Sequence, residues 1–336
     1  MKLFNQAQKR FLDEIKSKSP NNISFAEVIA DDLNISNDSA YRRIRGDTHL
    51  TLEECMILCN KYNVSLDSLL ENSTSHIMFN YRAINQDTFT FESYFRSILE
   101  NLDTIKQFEE KEMIFEENDI LPFHLFKFET LAAFKLFFWM SNIHHFPQYE
   151  NTSFDIKSFS KELLGYAKQV WESYVSIPSI EIWSDENINV TLRQIEFIYD
   201  CGKFESRDVA LQLYEELREV VLHIQKQAAR GYKYLYGKEN AIGDEKNFQL
   251  YYNEVTIMDT TVLIKMGETR MVLLGHNVVD ILTTSDPLFC EHTHRILDNI
   301  IKNATLISVV GEKVRKRFFL KLINKIDQYI ERMKNK

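Results

Sequence analysis

The chain has 336 residues, enough for two domains of ordinary size. It is 44% hydrophobic and 26% charged, with only 9 Gly and 5 Pro, which excludes a collagenous, low-complexity or largely disordered chain and favours helix. The net charge of −9 excludes bulk attraction to nucleic acid or an anionic membrane, so any nucleic-acid contact must come from a local basic patch.

The four cysteines, Cys55, Cys59, Cys201 and Cys290, are too few for a disulfide scaffold. The start of the chain, Met1 to Gln6, turns polar within five residues and does not read as a secretory signal. Reduced thiols and a cytoplasmic location are therefore expected. The most apolar run, Phe123 to Met140, contains His124, Lys127, Glu129 and Lys135, so a buried or interface helix is expected there and no membrane span.

Residues 1 to about 72 read as five short helices. The first covers Asn5 to Lys18, with Phe4, Phe11, Leu12 and Ile15 at helical spacing. Ser24 and Glu27 form a capping-box pattern opening the second, and Asn34-Ile35 is a tight connection. Ser36 caps a third helix, Asn37 to Arg45, which Gly46 ends. Thr51 and Glu54 form a second capping box opening the fourth helix, which ends near Tyr62-Asn63. Ser65 caps a short fifth helix, Leu66 to Glu71. The polar stretch Ser73 to His76 marks a domain boundary.

The rest of the chain is mixed. His76 to Ile84 reads as strand or linker. An amphipathic helix carries Phe91, Phe95, Ile98, Leu102 and Ile105. Met113 to Phe115 suits a short strand, and a nearly all-apolar helix is expected over about 123–143. Its aromatic crowding suits the centre of a core, a dimer seam or the wall of an apolar pocket, core being the default. Helices follow at about 155–174, 188–200 and 206–230. Then Phe248 to Met258, Thr261 to Met266, Thr269 to Leu274 and Val278 to Thr283 read as strands, with Gly267-Glu268 as a hairpin signal. Ser285-Asp286-Pro287 opens a further helix, and the last runs from Glu312 to Met333 with Val314, Phe318, Leu322, Ile326 and Ile330 on one stripe.

The informative stretch is Ile23 to Leu70. Two short helices are joined by a minimal turn, with small Ala30 where they must approach closely. The second begins Ser36-Asn37-Asp38-Ser39 and carries Tyr41, Arg42, Arg43 and Arg45. This is a helix-turn-helix pattern, whose second helix can enter a major groove and reach base edges from its N-terminal side. Arg suits guanine and Asn suits adenine. The base-edge candidates are Asn37, Asp38, Tyr41 and Arg42. The phosphate candidates are Ser36, Arg43, Arg45, Thr48 and His49. Residues 1–72 carry 9 Lys+Arg and 11 Asp+Glu, a net of −2, so non-specific affinity should be weak and salt-sensitive.

From about Ser24 to Leu70 the chain resembles the Cro/C1-type (lambda-repressor-like, XRE) helix-turn-helix family. The stretch runs Phe25-Ala26-Glu27-Val28-Ile29-Ala30 to Ser36, then the helix-ending glycine, then Thr51-Leu52-Glu53-Glu54-Cys55 and the closing Asn63-Val64-Ser65-Leu66. It is also similar to the two-domain regulators of Bacteroidetes-type bacteria. The resemblance implies a compact five-helix fold whose third helix reads DNA. In one respect the chain departs: the family's apolar position three residues after Ala40 holds Arg43, so Ile44 is expected to take the buried role and the recognition helix to be rotated or locally irregular.

Other constellations read as structural. Cys55 and Cys59 lie on the core stripe of their helix. His144-His145 and His292/His294 lack metal-ligand spacing. Glu109, Glu110, Glu112, Glu116 and Glu117 suit a solvated acidic face. Lys313, Arg315, Lys316, Arg317, Lys321 and Lys325 suit a solvated basic face on the last helix. There is no phosphate-binding loop, zinc-protease or nucleophile-elbow motif. The run from Asp280 to Phe289 faintly resembles the phospholipase-D-like sensory domains of some regulators, but the H-x-K-x-x-x-x-D motif of such enzymes is absent.

These readings converge on a mainly α chain with a smaller β part. An all-α helix-turn-helix domain is expected at 1–72 and a larger C-terminal α+β domain at 77–336. The expected function is sequence-specific DNA binding by a bacterial transcription regulator, with dimerisation or effector sensing in the C-terminal domain. The alternative is an adaptor, phage- or antitoxin-like, whose N-terminal domain binds protein. Expected partners are operator DNA, a second copy and a small-molecule or protein effector, with no catalytic centre, metal or cofactor.

Overall fold

The computed structural model describes residues 2–19, 23–62, 64, 66, 77–81, 83–238, 243, 247–255, 260–277 and 279–335. The chain divides into two compact units, Met1–Met78 and Phe79–Lys336. Helix outweighs strand among the described residues, so the fold is mainly α with a smaller β part.

The first unit holds α1 (Lys2–Lys18), α2 (Phe25–Leu33), α3 (Asn37–Arg45) and α4 (Leu52–Tyr62). Phe11, Leu12 and Ile15 of α1 pack against Ile29 and Ala30 of α2, Ala40 of α3 and Leu58 of α4. The side chain of Phe4 lies outside the described residues, as do Ser65, most of the expected fifth helix and the polar break at 73–76.

The α2–α3 turn is as short as the sequence implies. Asn34 adopts a left-handed conformation (φ 51°), which Asn tolerates better than most residues, and Ile35 N donates to Ala30 O at 2.9 Å. Gly46 ends α3 at φ 79°, where its missing Cβ removes the steric penalty. Ser36 Oγ accepts from Ser39 N, and the Thr51/Glu54 box closes reciprocally at 2.9 and 3.2 Å. The Ser24/Glu27 box does not form. Ser24 stands at the N-cap with extended backbone but its side chain accepts no capping bond.

The second unit is built on one mixed sheet. Its elements are β1 (Asn80–Tyr81), α5 (Phe91–Lys106), β2 (Lys111–Glu116), α6 (Pro122–Leu125), α7 (Glu129–Phe138), α8 (Lys161–Val175), β3 (Ser179–Trp183), α9 (Asn189–Asp200), α10 (Arg207–Arg230), β4 (Phe248–Tyr252), β5 (Thr261–Met266), β6 (Thr269–Gly275), β7 (Ile281–Thr284), α11 (Pro287–Asn303), β8 (Thr305–Leu306) and α12 (Glu312–Asn335). The strand order is β1-β7-β6-β5-β2-β3-β4-β8. β2, β3 and β4 are parallel and joined by helical crossovers, while β5, β6 and β7 run antiparallel through short turns.

Alternation sends successive side chains to opposite faces of the sheet. Met113, Phe115, Trp183, Phe248 and Leu250 enter the large core with most of the helices. Ile114, Ile182, Leu263 and Val272 face Cys290, Leu297 and Ile300 of α11. The sheet is therefore covered on both faces, which explains the apolar character of its central strands.

Two expectations are corrected here. The apolar helix over 123–143 is broken into α6, α7 and a π-helical turn, Trp139–Ile143. The break falls at Phe126 to Phe128, where the chain turns before α7. Phe134, Phe137 and Trp139 are core residues. Secondly, β3 has no counterpart among the expected elements. Its sequence Ser-Ile-Glu-Ile-Trp carries a carboxylate that is fully buried, an arrangement with no hydrophobic signature.

Candidate nucleic-acid interface

α3 is a regular helix, without the local irregularity that the Arg43 departure suggested. At about 100° per residue, Asn37, Asp38, Tyr41, Arg42 and Arg45 share one outward arc while Ala40 and Ile44 turn inward. Burial follows that arc. Ala40 is fully buried, Ile44 packs on the core, and all five outward residues are exposed. Asn37, Asp38, Tyr41 and Arg42 make no side-chain hydrogen bond among the described residues, so their polar groups are available to a ligand. Ser36 is exposed, but its hydroxyl is engaged in capping.

Arg43 departs from its expected phosphate role. Its Nη2 donates to Glu54 Oε1 at 2.6 Å, Nε to Glu54 Oε2 at 3.0 Å and Nη1 to Ser39 O at 3.2 Å. Both side chains are largely buried, at 15% and 14% exposure. The hydrogen bond from Arg43 holds the Glu54 carboxyl below the usual carboxylate range despite partial desolvation. A guanidinium so occupied is a strut between α3 and α4. Arg45 is exposed and pairs loosely with Asp47 at 2.9 Å, a contact weak enough for a phosphate to displace.

The turn after α3 is held from α1. Gln8 Nε2 donates to Arg43 O at 2.8 Å and to Thr48 O at 2.9 Å, and Gln8 Oε1 accepts from Leu50 N at 3.0 Å. These bonds fix the backbone that presents Arg45, Thr48 and exposed His49. Sequence reasoning missed Gln8, because a lone Gln among the polar residues of α1 carries no local signal. On α4, Cys55 and Cys59 pack against the core of the unit, while Leu52, Met56 and Ile57 are exposed.

The flagged clusters of the second unit are dispersed. His144 is half-buried and His145 exposed; His292 is exposed and His294 half-buried. Among the described residues no group of three or more His, Cys, Asp or Glu is arranged to hold a metal ion. The acidic run is not one solvated face. Glu109 and Glu110 are exposed and Glu112 pairs with Lys265 at 2.8 Å, but Glu116 is buried. Glu117 is half-buried, and desolvation with Asp119, Glu181 and Glu116 nearby pushes its carboxyl to about 8. In the basic run, Arg315 is buried and donates from Nη1 to Ile307 O and Val310 O.

One polar network in the core had no counterpart in the sequence reading. Glu181 on β3 lies 2.8 Å from His124 Nε2, accepts from Trp183 Nε1 at 2.9 Å and accepts from the Tyr174 hydroxyl. Lys233 donates to Ser179 Oγ at 2.6 Å and sits 3.9 Å from the Tyr174 ring centroid. Desolvation pushes the Glu181 carboxyl up, but His124, Tyr174 and Lys233 outweigh it and hold it below its ordinary value. Desolvation pushes Lys233 down to about 7. The network satisfies its members from several elements, as a buried charge requires.

No helix among the described residues is long and apolar enough to cross a membrane. No family model matches the chain, and comparison with curated proteins and with solved structures finds no match to it.

Proposed function

We propose that the chain is a sequence-specific DNA-binding transcription regulator, with α3 as its recognition helix and the larger unit serving dimerisation and sensing. The observation that carries this reading is the outward arc of α3. Asn37, Asp38, Tyr41 and Arg42 offer hydrogen-bonding groups in a row on a helix short enough to lie in a major groove. Arg42 is the candidate for guanine, Asn37 for adenine and Asp38 for the amino group of cytosine. Arg45, at the C-terminal end of the arc, and Thr48 and His49, on the turn that Gln8 holds, are the candidates for backbone phosphates. Two such heads in a dimer would read half-sites about one helical turn apart. Selection from a pool of random duplexes tests this. Enrichment of one motif by the wild-type chain and its loss with Arg42→Ala is the expected result. Equal recovery of all sequences would sink the proposal.

A second reading rests on a different observation. Leu52, Met56 and Ile57 expose an apolar stripe on α4, and residues 1–72 carry a net charge of −2. Both suit a protein-binding head. If that reading holds, Leu52→Ser/Met56→Ser abolishes partner capture while Arg42→Ala leaves it intact.

A further inference from the structure

In the second unit, α9 and its C-cap turn a mixed stripe to solvent. At about 100° per residue, Val190, Arg193, Phe197, Asp200 and Cys201 fall on one arc about 100° wide. All five are exposed, while Ile195 and Ile198 on the far side are fully buried. The outward face of a surface helix is ordinarily charged or polar. Here its centre is Phe197, 50% exposed, with Val190 two turns earlier at 39%. Half-buried Phe138 of α7 meets the Phe197 ring edge-on at 6.4 Å and widens the apolar patch.

The two charges of the stripe are ordered about that ring. Arg193 lies one turn before Phe197, and Asp200 about one turn after it. Seven residues set them about 10 Å apart along the axis, and they do not pair with each other. Arg193 makes no side-chain hydrogen bond or ion pair among the described residues. Asp200 is engaged within the chain, and its carboxylate keeps lone-pair sites for a further donor.

A stripe that reads cation, aromatic ring, anion is complementary to itself reversed. With a second copy of α9 laid antiparallel, Arg193 of each copy meets Asp200 of the other. The midpoint of that pairing falls beside Phe197, so the two Phe197 rings meet at the centre. This is the isologous pattern of a two-fold dimer, in which each contact occurs twice. A parallel pairing would set Arg193 against Arg193 and Asp200 against Asp200, so charge selects the antiparallel one. Aromatic and Arg side chains at the centre of a patch are those that most often carry binding energy.

We propose that the outward stripe of α9 is a dimer seam, in which two copies of the chain pack this helix antiparallel about Phe197. The use of the dimer to read paired half-sites rests on the regulatory reading above; the contact itself does not, and it is tested without DNA.

The test is analytical ultracentrifugation of the full chain between about 1 and 100 μM, the range suited to a seam of modest area. The wild-type chain should dimerise reversibly there. Arg193→Asp and Asp200→Arg each place like charges together twice across the seam, and each should weaken the dimer about tenfold or more. An equimolar mixture of those two variants restores both opposite-charge pairs, and should sediment as a dimer again. Recovery in the mixture also shows that each variant is folded. Phe197→Ser should weaken the dimer by a similar factor. A wild-type monomer at every concentration, a dimer equally strong in both charge variants, or a mixture that stays monomeric would each overturn the seam. None of these outcomes bears on selection of a DNA sequence by α3, so failure of the seam and failure of the regulatory reading are distinguished.

Discussion

Arg43 on α3 and Glu54 on α4 form a two-pronged ion pair, with Nη2 2.6 Å from Oε1 and Nε 3.0 Å from Oε2. Glu54 also receives Thr51 N at 2.9 Å, so one carboxylate caps α4 and anchors α3 to it. The two roles make the pair worth more than an exposed salt bridge. Arg43→Ala should destabilise the first unit by about 1–3 kcal/mol. Faster hydrogen exchange at the α3 and α4 amides would show it, and unchanged exchange would argue against the strut. The pH dependence has a definite sign. The Glu54 carboxyl titrates below its ordinary 4.5 in the folded state, so its contribution is present above that value and is lost as pH falls through the folded value.

Gln8 should matter in a different way. It satisfies two carbonyls and one amide of the segment from Arg43 to Leu50. Gln8→Ala should cost about 1–3 kcal/mol and loosen the backbone that carries Arg45 and Thr48. Hydrogen exchange should quicken first at Leu50 N. A variant as protected there as the wild type would show that the clamp is dispensable.

Lys233 sets a pH slope in the second unit. Its folded value of about 7 lies below its ordinary 10.5, so between those values the unfolded chain binds the extra proton. Stability should therefore rise with pH over that window, by up to about 1.4 kcal/mol per pH unit for one group. Below about 7 the penalty is constant. Lys127, pushed to about 7 mainly by desolvation, adds in the same direction. Denaturant midpoints of wild type and Lys233→Met between pH 7 and 9 test this. The variant should show a shallower slope, and parallel slopes would refute the assignment.

What the sequence makes legible is what local chemistry dictates. The α2–α3 turn, the Ser36 cap, the Gly46 stop and the Thr51/Glu54 box are each decided within about five residues and are readable from the local order of residues. The β5–β6 hairpin and the apolar stripe of α12 are equally local. The parts that escape are decided at long range. β3 hides because Glu181 breaks its apolar pattern, and that carboxylate is tolerable only beside His124 and Tyr174, 57 and 7 residues away. Arg43 reads as a free cation until its partner 11 residues on is placed. The break in the helix over 123–143 has no Pro or Gly to announce it; a chain so apolar gives no face from which to read its direction.

Arg42 and Arg45 should fail differently on DNA. Arg42→Ala should cost about 1–3 kcal/mol and relax the preference at one base pair. Arg45→Ala should weaken all sequences alike and reduce the salt slope by about one. Fluorescence anisotropy on a selected site and its point variants, over a range of salt, separates the two. Identical behaviour of the two variants would contradict the division of the arc into base and phosphate contacts.

The most direct measurement is genomic footprinting of the tagged chain in its own host beside an Arg42→Ala control. Arg42 is the better control than Arg43, whose loss would disturb the fold as well as the surface. Discrete sites with two-fold symmetry, present with the wild-type chain and absent with Arg42→Ala, are expected for a recognition helix at α3. Sites that persist undiminished in the variant, or a wild-type chain that occupies none, would contradict it.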